Sequence, residues 1–288
     1  MKESVYLIYL NKIYYMFNKY VFLMVAVLFW FNIESFAQTE LVVVQITDPQ
    51  FGFFDENRSF ENETVLYTEA IRKINELKPN FVVITGDFVN NSKNVSQIDE
   101  FKRITALLDE TIPVYLSPGN HDISLPPTNA DLEFYFTQYG NGNDRFSIKQ
   151  ENTSFIGFNS VIIKSDKNCK EEEKQFKWLK RELRKARSSD NIIMFTHYPF
   201  FINDFNEKDN YSNQTIEVRN KYFELFDKFG VDAVFSGHLH NNAEASHNGI
   251  LMITTNAVGR PLGEAKSGFR IIKIKKDSLE HQFVPLCN

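Results

Sequence analysis

A mixed α/β sandwich of several layers is the fold this sequence predicts, on three observations. Short β-branched runs alternate with amphipathic helical stretches from Leu41 onward, the pattern of parallel strands joined by crossover helices. Near the C-terminus the pattern changes to short strands around Asn248-Gly249, a dipeptide that marks a tight antiparallel hairpin. The strand segments are almost continuously apolar, as expected of sheets covered on both faces. The 288 residues suffice for one large domain with a substantial core.

Leu41–Thr47 reads as a buried strand, and Thr64–Leu77 as an amphipathic helix stopped near Pro79. Phe81–Thr85 is a second buried strand. A helix over Gln97–Asp109 leads to a strand over Pro113–Leu116. Asn152–Phe158 and Asn191–Phe195 are strands separated by the charged helix Glu171–Lys185. Tyr222–Phe229 is a helix running into the strand Val231–Phe235. The hairpin pairs Ala243–His247 with Ile250–Thr254, and Phe269–Ile274 and His281–Val284 close the fold. The polar, aromatic-bearing stretches Leu125–Asn143 and Phe201–Thr215 read as irregular loops that shape a pocket. No repeat or linker interrupts this domain, residues 38–288.

Residues 1–37 differ. Lys19 precedes an apolar run from Val21 to Phe31, and Ser35-Phe36-Ala37 places small residues where a signal peptidase reads. The run is short for a bilayer span, which takes about 20 residues. We read 1–37 as a secretory signal, possible translation from Met16 included, and the protein as exported to the periplasm or secreted. An uncleaved N-terminal membrane anchor is the alternative. Cys169 and Cys287 are compatible with an oxidising compartment, whether or not they pair, and neither lies in a metal-type CxxC.

Net charge is −5 with no Lys/Arg block, which argues against binding to a nucleic-acid backbone. The 28 phenylalanines read as core rather than as a stacking platform.

Chemistry-bearing residues gather after strand ends. Asp48 and Gln50 follow the first strand and Gly86-Asp87 the second. Gly119-Asn120-His121-Asp122 follows the third, His197 follows Asn191–Phe195, and Gly237-His238-Leu239-His240 follows Val231–Phe235. Open α/β sheets bind ligands beyond the carboxyl ends of their strands. Carboxylate, amide and imidazole together suit hard-to-borderline divalent or trivalent ions. Asp87 is the natural bridge, because one carboxylate can hold two cations about 3.5–4 Å apart. Singly, each motif has an ordinary structural explanation; their order, spacing and position together point to a metal centre.

These residues resemble the calcineurin-like metallophosphoesterase superfamily, whose pattern is Asp-x-His, Gly-Asp, Gly-Asn-His-Asp/Glu, His and Gly-His-x-His. The resemblance runs from Leu41 to about His240. Asp48-Pro49-Gln50-Phe51-Gly52 and Asn256–Gly263 are similar to the subgroup named calcineurin-like phosphoesterase domain-containing protein 1. It implies a four-layer α/β/β/α sandwich with two mixed β-sheets flanked by helices, and two metal ions drawn from Mn, Fe, Zn or Mg, divalent or mixed-valence. It implies that Asp48, Asp87 and His240 hold one ion, with Gln50 at the family's His position. Asp87, Asn120, His197 and His238 then hold the other. His121 matches the histidine that protonates the leaving group, and Asp122 is expected to orient it.

In such a centre two cations lower the pKa of a bridging water, and hydroxide attacks phosphorus in line. The departure is Gln50, a neutral amide that either binds the first metal more weakly than imidazole or does not ligate. Asn91 and Arg260 are candidates to face substrate, while His247 and His281 read as a hairpin surface residue and a structural residue. The expected substrate is a phosphorylated small molecule or protein, with a phosphomonoesterase as the first reading. A phosphodiesterase or nucleotidase is the alternative, and a metal-stabilised binding protein without turnover is a third.

Overall fold

The computed structural model describes residues 14–17, 40–164, 169–276 and 278–286. Two compact units separate at residue 39. Of the first, only a helical turn at 14–17 is described. The expected signal segment, the side chain of Cys169, and Cys287 lie outside the described residues. Among the described residues no helix is long and apolar enough to cross a membrane.

The second unit holds two mixed sheets. Strands β1 (Leu41–Ile46), β2 (Phe81–Ile84), β3 (Val114–Leu116), β10 (Gly268–Lys275) and β11 (Ser278–Pro285) form one, in the order β11-β10-β1-β2-β3. Strands β4 (Phe146–Gln150), β5 (Thr153–Gly157), β6 (Asn191–Phe195), β7 (Ala233–Ser236), β8 (Ala243–His247) and β9 (Ile250–Thr254) form the other, in the order β4-β5-β6-β7-β9-β8. β1, β2 and β3 run parallel, as do β5, β6, β7 and β9. The antiparallel strands β11, β4 and β8 lie at sheet edges, and β10 joins β11 to β1.

Alternation along each strand explains the continuous apolar runs. Val43, Phe81 and Val83 face one cluster with Phe155, Ile193, Phe195, Phe235 and Ile253 between the sheets. Their neighbours Val44, Val82, Ile84, Met194 and Val234 join the second cluster, with the helices. Successive strand side chains point to opposite faces, so every residue of such a strand can be apolar. Phe81 meets Phe155 edge to face at 4.8 Å. Burying a side chain of that size stabilises by roughly 1.5–3 kcal/mol.

Helix α1 (Glu61–Leu77) buries Tyr67, Ala70, Ile71 and Ile74, a spacing that makes one helical stripe. It ends where Lys78 turns left-handed ahead of Pro79. α2 (Val95–Thr105) starts before the expected Gln97, because Asn94 caps it by accepting from the Ser96 and Gln97 amides. The Gly119 loop runs into a single turn, α3 (Asn120–Ile123).

Two expectations need correction. Leu125–Asn143 is not wholly irregular, since it contains α4 (Asn129–Tyr139), opened by a capping box between Thr128 and Asp131. Edge strand β4 was not anticipated either, because its alternating Phe146-Ser-Ile-Lys-Gln pattern is short and half-exposed. After the short α5 (Val161–Lys164) and the charged α6 (Cys169–Ala186) comes α7 (Ile216–Phe229). That helix begins six residues before the expected Tyr222, at the Thr215 cap. The hairpin turn has Asn248 and Gly249 at φ 52° and 83°, which suits an Asn-Gly turn.

The sheets are joined beneath the carboxyl ends of their strands by Gln45. Its Nε2 donates to Thr85 Oγ1 and to the Ser236 carbonyl, and its Oε1 accepts from Thr255 Oγ1. This buried polar tie brings the loops after β1, β2 and β7 together.

Candidate metal centre

The backbone leaves each strand sharply. Asp48, Gln50, Asp87, His238 and His240 all have positive φ, between 41° and 71°. Non-glycine residues rarely adopt this region, and such strain collects where a site demands it. Close approach dictates the neighbouring glycines. A Cβ on Gly119 would lie 2.1 Å from Asp87 Oδ1, and one on Gly237 would lie 1.8 Å from Thr47 Oγ1.

Two groups of side chains converge. Asp87, His197 and His238 place ligand atoms within 4.8 Å of one another, and so do Asp48, Asp87 and His240. Asp87 belongs to both. Asn120 borders the first group, its Oδ1 3.1 Å from His197 Nε2, and Gln50 is tied to the Asp87 loop by its backbone amide, which donates to the Asp87 carbonyl at 2.8 Å.

In the first group, His197 Nδ1–H donates to the Thr85 carbonyl at 2.8 Å, so in neutral imidazole Nε2 carries the lone pair. That Nε2 faces Asn120 Oδ1 at 3.1 Å, His238 Nδ1 at 3.2 Å and Asp87 Oδ2 at 3.3 Å. Four potential lone-pair donors around one point repel unless a positive charge sits among them. Burial pushes His197 away from the charged form, yet Asp87 and Asp48 overcome it and hold the imidazole at about 9. Burial, aided by His197, pushes His238 down to about 3. The pocket thus favours a cation, and this donor set fits a metal ion.

The second group argues likewise. His240 Nδ1–H donates to the Arg260 carbonyl, leaving Nε2 facing Asp48 Oδ1 at 3.4 Å. Asp48 Oδ2 accepts from Thr47 Oγ1 and from the His238 amide, but Asp48 Oδ1 and Gln50 Oε1 are buried without hydrogen-bond donors. Buried acceptors are costly to leave unpaired. An orphaned carboxylate oxygen beside a lone-pair nitrogen, with a second orphaned oxygen on Gln50, fits a hard cation.

His121 lies on the same rim. Its amide donates to Asp87 Oδ1, and its Nδ1 meets the Asn90 carbonyl at 2.9 Å. The expected role of Asp122 is corrected here. Its carboxylate accepts from the Gly119 and Phe88 amides at 2.8 Å, and more weakly from Val89, so both oxygens are spent on backbone. Asp122 clamps the loops after β2 and β3 together, while the Asn90 carbonyl holds the His121 ring. Burial, then nearby Asp87, raises the Asp122 carboxyl well above the usual range.

Asn91 is exposed in the loop after β2. Its side chain accepts from the Lys93 amide and its own amide donates to Gln97 Oε1, contacts that shape the turn. Arg260 lies beside the centre, its guanidinium 5.2 Å from the Phe53 ring and 5.9 Å from that of Phe54. His247 is more than a hairpin surface residue, stacking on Phe205 at 3.8 Å. His281 is structural, its Nδ1 2.9 Å from buried Arg270.

Sequence reasoning missed Asn90 and three aromatic residues. Tyr211 accepts a hydrogen bond from Asn120 Nδ2 at 3.1 Å and lies 5.0 Å from the His238 ring. Tyr198 packs 4.0 Å from the same ring, and Phe53 lies 5.1 Å from His240. Loop 201–215, which carries Tyr211, is organised by fully buried Arg219. That guanidinium donates to the carbonyls of Phe200, Phe205, Glu207 and Gln214. No local pattern marks these roles.

A family model described as calcineurin-like phosphoesterase matches residues 41–242. The chain is 31% identical over 262 residues to serine/threonine-protein phosphatase CPPED1 of Bos taurus, covering 84% of this chain and 83% of that protein. The human protein of that name is 30% identical, covering 83% and 82%. Among solved structures, a dimetal phosphatase from Danio rerio superposes with a TM-score of 0.63 at 15% identity, covering 86% of this chain and 97% of that one. At that identity the likeness speaks for the fold.

Proposed function

This chain belongs to the calcineurin-like phosphoesterase family, hydrolases of phosphoric esters, and on that premise we propose that it is a dinuclear-metal phosphomonoesterase. The observation that carries the reading is the pair of lone-pair-rich pockets sharing Asp87. Asp48, Gln50, Asp87 and His240 would hold the first ion, and Asp87, Asn120, His197 and His238 the second. Bound there, Mn, Fe, Zn or Mg supplies Lewis acidity and neutralises phosphate charge.

The protein residues do the rest. Thr85 and Arg260 carbonyls fix the tautomers of His197 and His240, so that each presents Nε2 to the centre. His121, whose Nδ1–H is held by the Asn90 carbonyl, would give the departing oxygen its Nε2 proton from the imidazolium form. Arg260, its guanidinium steadied on Phe53 and Phe54 and its carbonyl on His240, is the cation we assign to a phosphate oxygen. Asp122 acts at one remove, by fixing the loop that carries His121.

The names of the phosphatase relatives support a phosphomonoester, and that of CPPED1 a phosphoprotein; a phosphorylated small molecule fits the same centre. The test is a chromogenic screen of mono- and diester substrates, with and without added Mn²⁺. We expect Mn²⁺-dependent monoester hydrolysis to exceed diester hydrolysis. A preference for diesters would replace this reading with the phosphodiesterase one, and no turnover on either would favour a binding protein.

Export is part of the proposal and rests on the sequence pattern of residues 1–37. N-terminal sequencing of the processed protein should begin at Gln38, and an intact Met1 or Met16 would overturn it.

A further inference from the structure

Gln50 is an amide where an imidazole would present a single defined nitrogen. A carboxamide has two nearly isosteric ends, and only Oε1 can bind a cation. Something must choose which end faces the centre.

The surrounding hydrogen bonds form a directed chain. It starts at the Asn91 backbone N–H, which can only donate, and does so to Gln97 Oε1 at 3.0 Å. Gln97 therefore turns Nε2 the other way, onto Asn57 Oδ1 at 2.9 Å. The same Asn57 oxygen accepts from Asn90 Nδ2 at 2.9 Å. Asn90 is then left with Oδ1 for Gln50, and accepts from Gln50 Nε2 at 3.1 Å. Gln50 must turn Oε1 inward, where it is buried with no donor. Gln50 and Gln97, at the two ends of the relay, are inaccessible to solvent; Asn57 between them is exposed and Asn90 half-buried, so the order rests on the hydrogen-bond directions themselves.

Gly52, at φ 102°, closes over this chain. A Cβ there would come within 2.2 Å of Gln97 Nε2. The Asn90 backbone carbonyl also holds the His121 ring.

Resting on the reading of Gln50 as a ligand of the first ion, we propose that Asn90 is a positioning residue, the last link of an amide relay that points Gln50 Oε1 at the metal. The relay makes a neutral amide a dependable oxygen ligand, and it ties that ligand to the residue that holds the proton-donating histidine.

The test is Mn²⁺ titration of chelator-treated full-length protein by calorimetry. Asn90→Ala should weaken the first site by about 10–100-fold, the usual scale for losing a partner of a metal ligand, and leave the second unchanged. The deciding comparison is the same substitution in a Gln50→Glu background. A carboxylate has two equivalent oxygens and needs no choice of end, so Asn90→Ala should there cost nothing in affinity. An equal loss in both backgrounds would mean that Asn90 only supports the loop, and would overturn the relay.

Should the alanine variant fail to fold, Asn90→Asp keeps the acceptor for Gln50 Nε2. Its first-site affinity should stay within about threefold of the parent, and a loss of tenfold or more would overturn the proposal. A parent protein that binds no second Mn²⁺ would instead sink the dinuclear reading. A parent that binds two, with Asn90→Ala indistinguishable from it, would sink the relay alone.

Discussion

Around Asp87 the two ligand groups are built differently. The group of His197, His238 and Asn120 is rich in imidazole, with His197 fixed by a backbone carbonyl and His238 packed against Tyr198. The group of Asp48, Gln50 and His240 is rich in oxygen, and its amide is fixed by other side chains. Backbone carbonyls come with the strands and are hard to lose, whereas a side-chain relay exists only while each member is present. On the proposed reading, two ligand groups of different donor chemistry would meet at a single shared carboxylate.

Removing the shared carboxylate erases the comparison altogether. Asp87→Ala should abolish turnover, and metal analysis should show at least one ion lost per chain. Near-normal metal content with near-normal turnover would mean that Asp87 is no bridge.

His121 separates metal holding from proton delivery. His121→Ala should leave both sites loaded and lower kcat by roughly 10²–10⁴-fold, the range for general acid–base catalysis. The loss should shrink for esters with good leaving groups, which need little protonation. A uniform loss across leaving groups would argue for another role.

The convergence of these side chains was legible in the sequence because each candidate ligand follows closely on an apolar strand. Once Leu41–Ile46, Phe81–Ile84 and Asn191–Phe195 read as strands, Asp48, Asp87 and His197 had to share one rim. The helical stripe of α1 was legible for the same reason, one periodic face against one core. What stayed hidden depends on contacts between segments far apart in the chain. Asn90 meets Asn57 and Gln50, and Tyr211 meets Asn120 across 91 positions of sequence. Asp122 looked like a partner for the adjacent imidazole, but a buried carboxylate takes the nearest unpaired amides, and those belong to Gly119 and Phe88. The helix α4 was obscured by the Pro126-Pro127 pair and by its aromatic content, although Thr128 and Asp131 carried its start signal.

The next effect is on metal preference. With His240 as its sole imidazole, the first site should favour Mn²⁺ or Mg²⁺ over Zn²⁺ more than the second does. Gln50→His should raise its affinity for Zn²⁺ and leave the second site unchanged. Parallel titrations of parent and variant check this, and identical preference in both would place Gln50 outside the coordination shell. Turnover need not follow, because tighter ground-state binding does not by itself stabilise a transition state.

The smallest effect should come from Tyr211, the second site's counterpart of Asn90. Its hydroxyl accepts from Asn120 Nδ2, so on the same reading it would set which end of that amide faces a bound ion. The surroundings differ, however. Tyr211 is 58% exposed, and water can replace the phenol oxygen as acceptor. A typical intramolecular hydrogen bond contributes only about 0.5–1.5 kcal/mol net, or roughly two- to tenfold in affinity. Tyr211→Phe should therefore weaken Mn²⁺ at the second site by no more than about tenfold, leave the first untouched, and keep the ring's packing beside His238. Calorimetric titration would resolve the two sites. A loss matching that of Asn90→Ala would show that exposure to water gives the tyrosine contact no slack, and that the two amides are held with equal stringency.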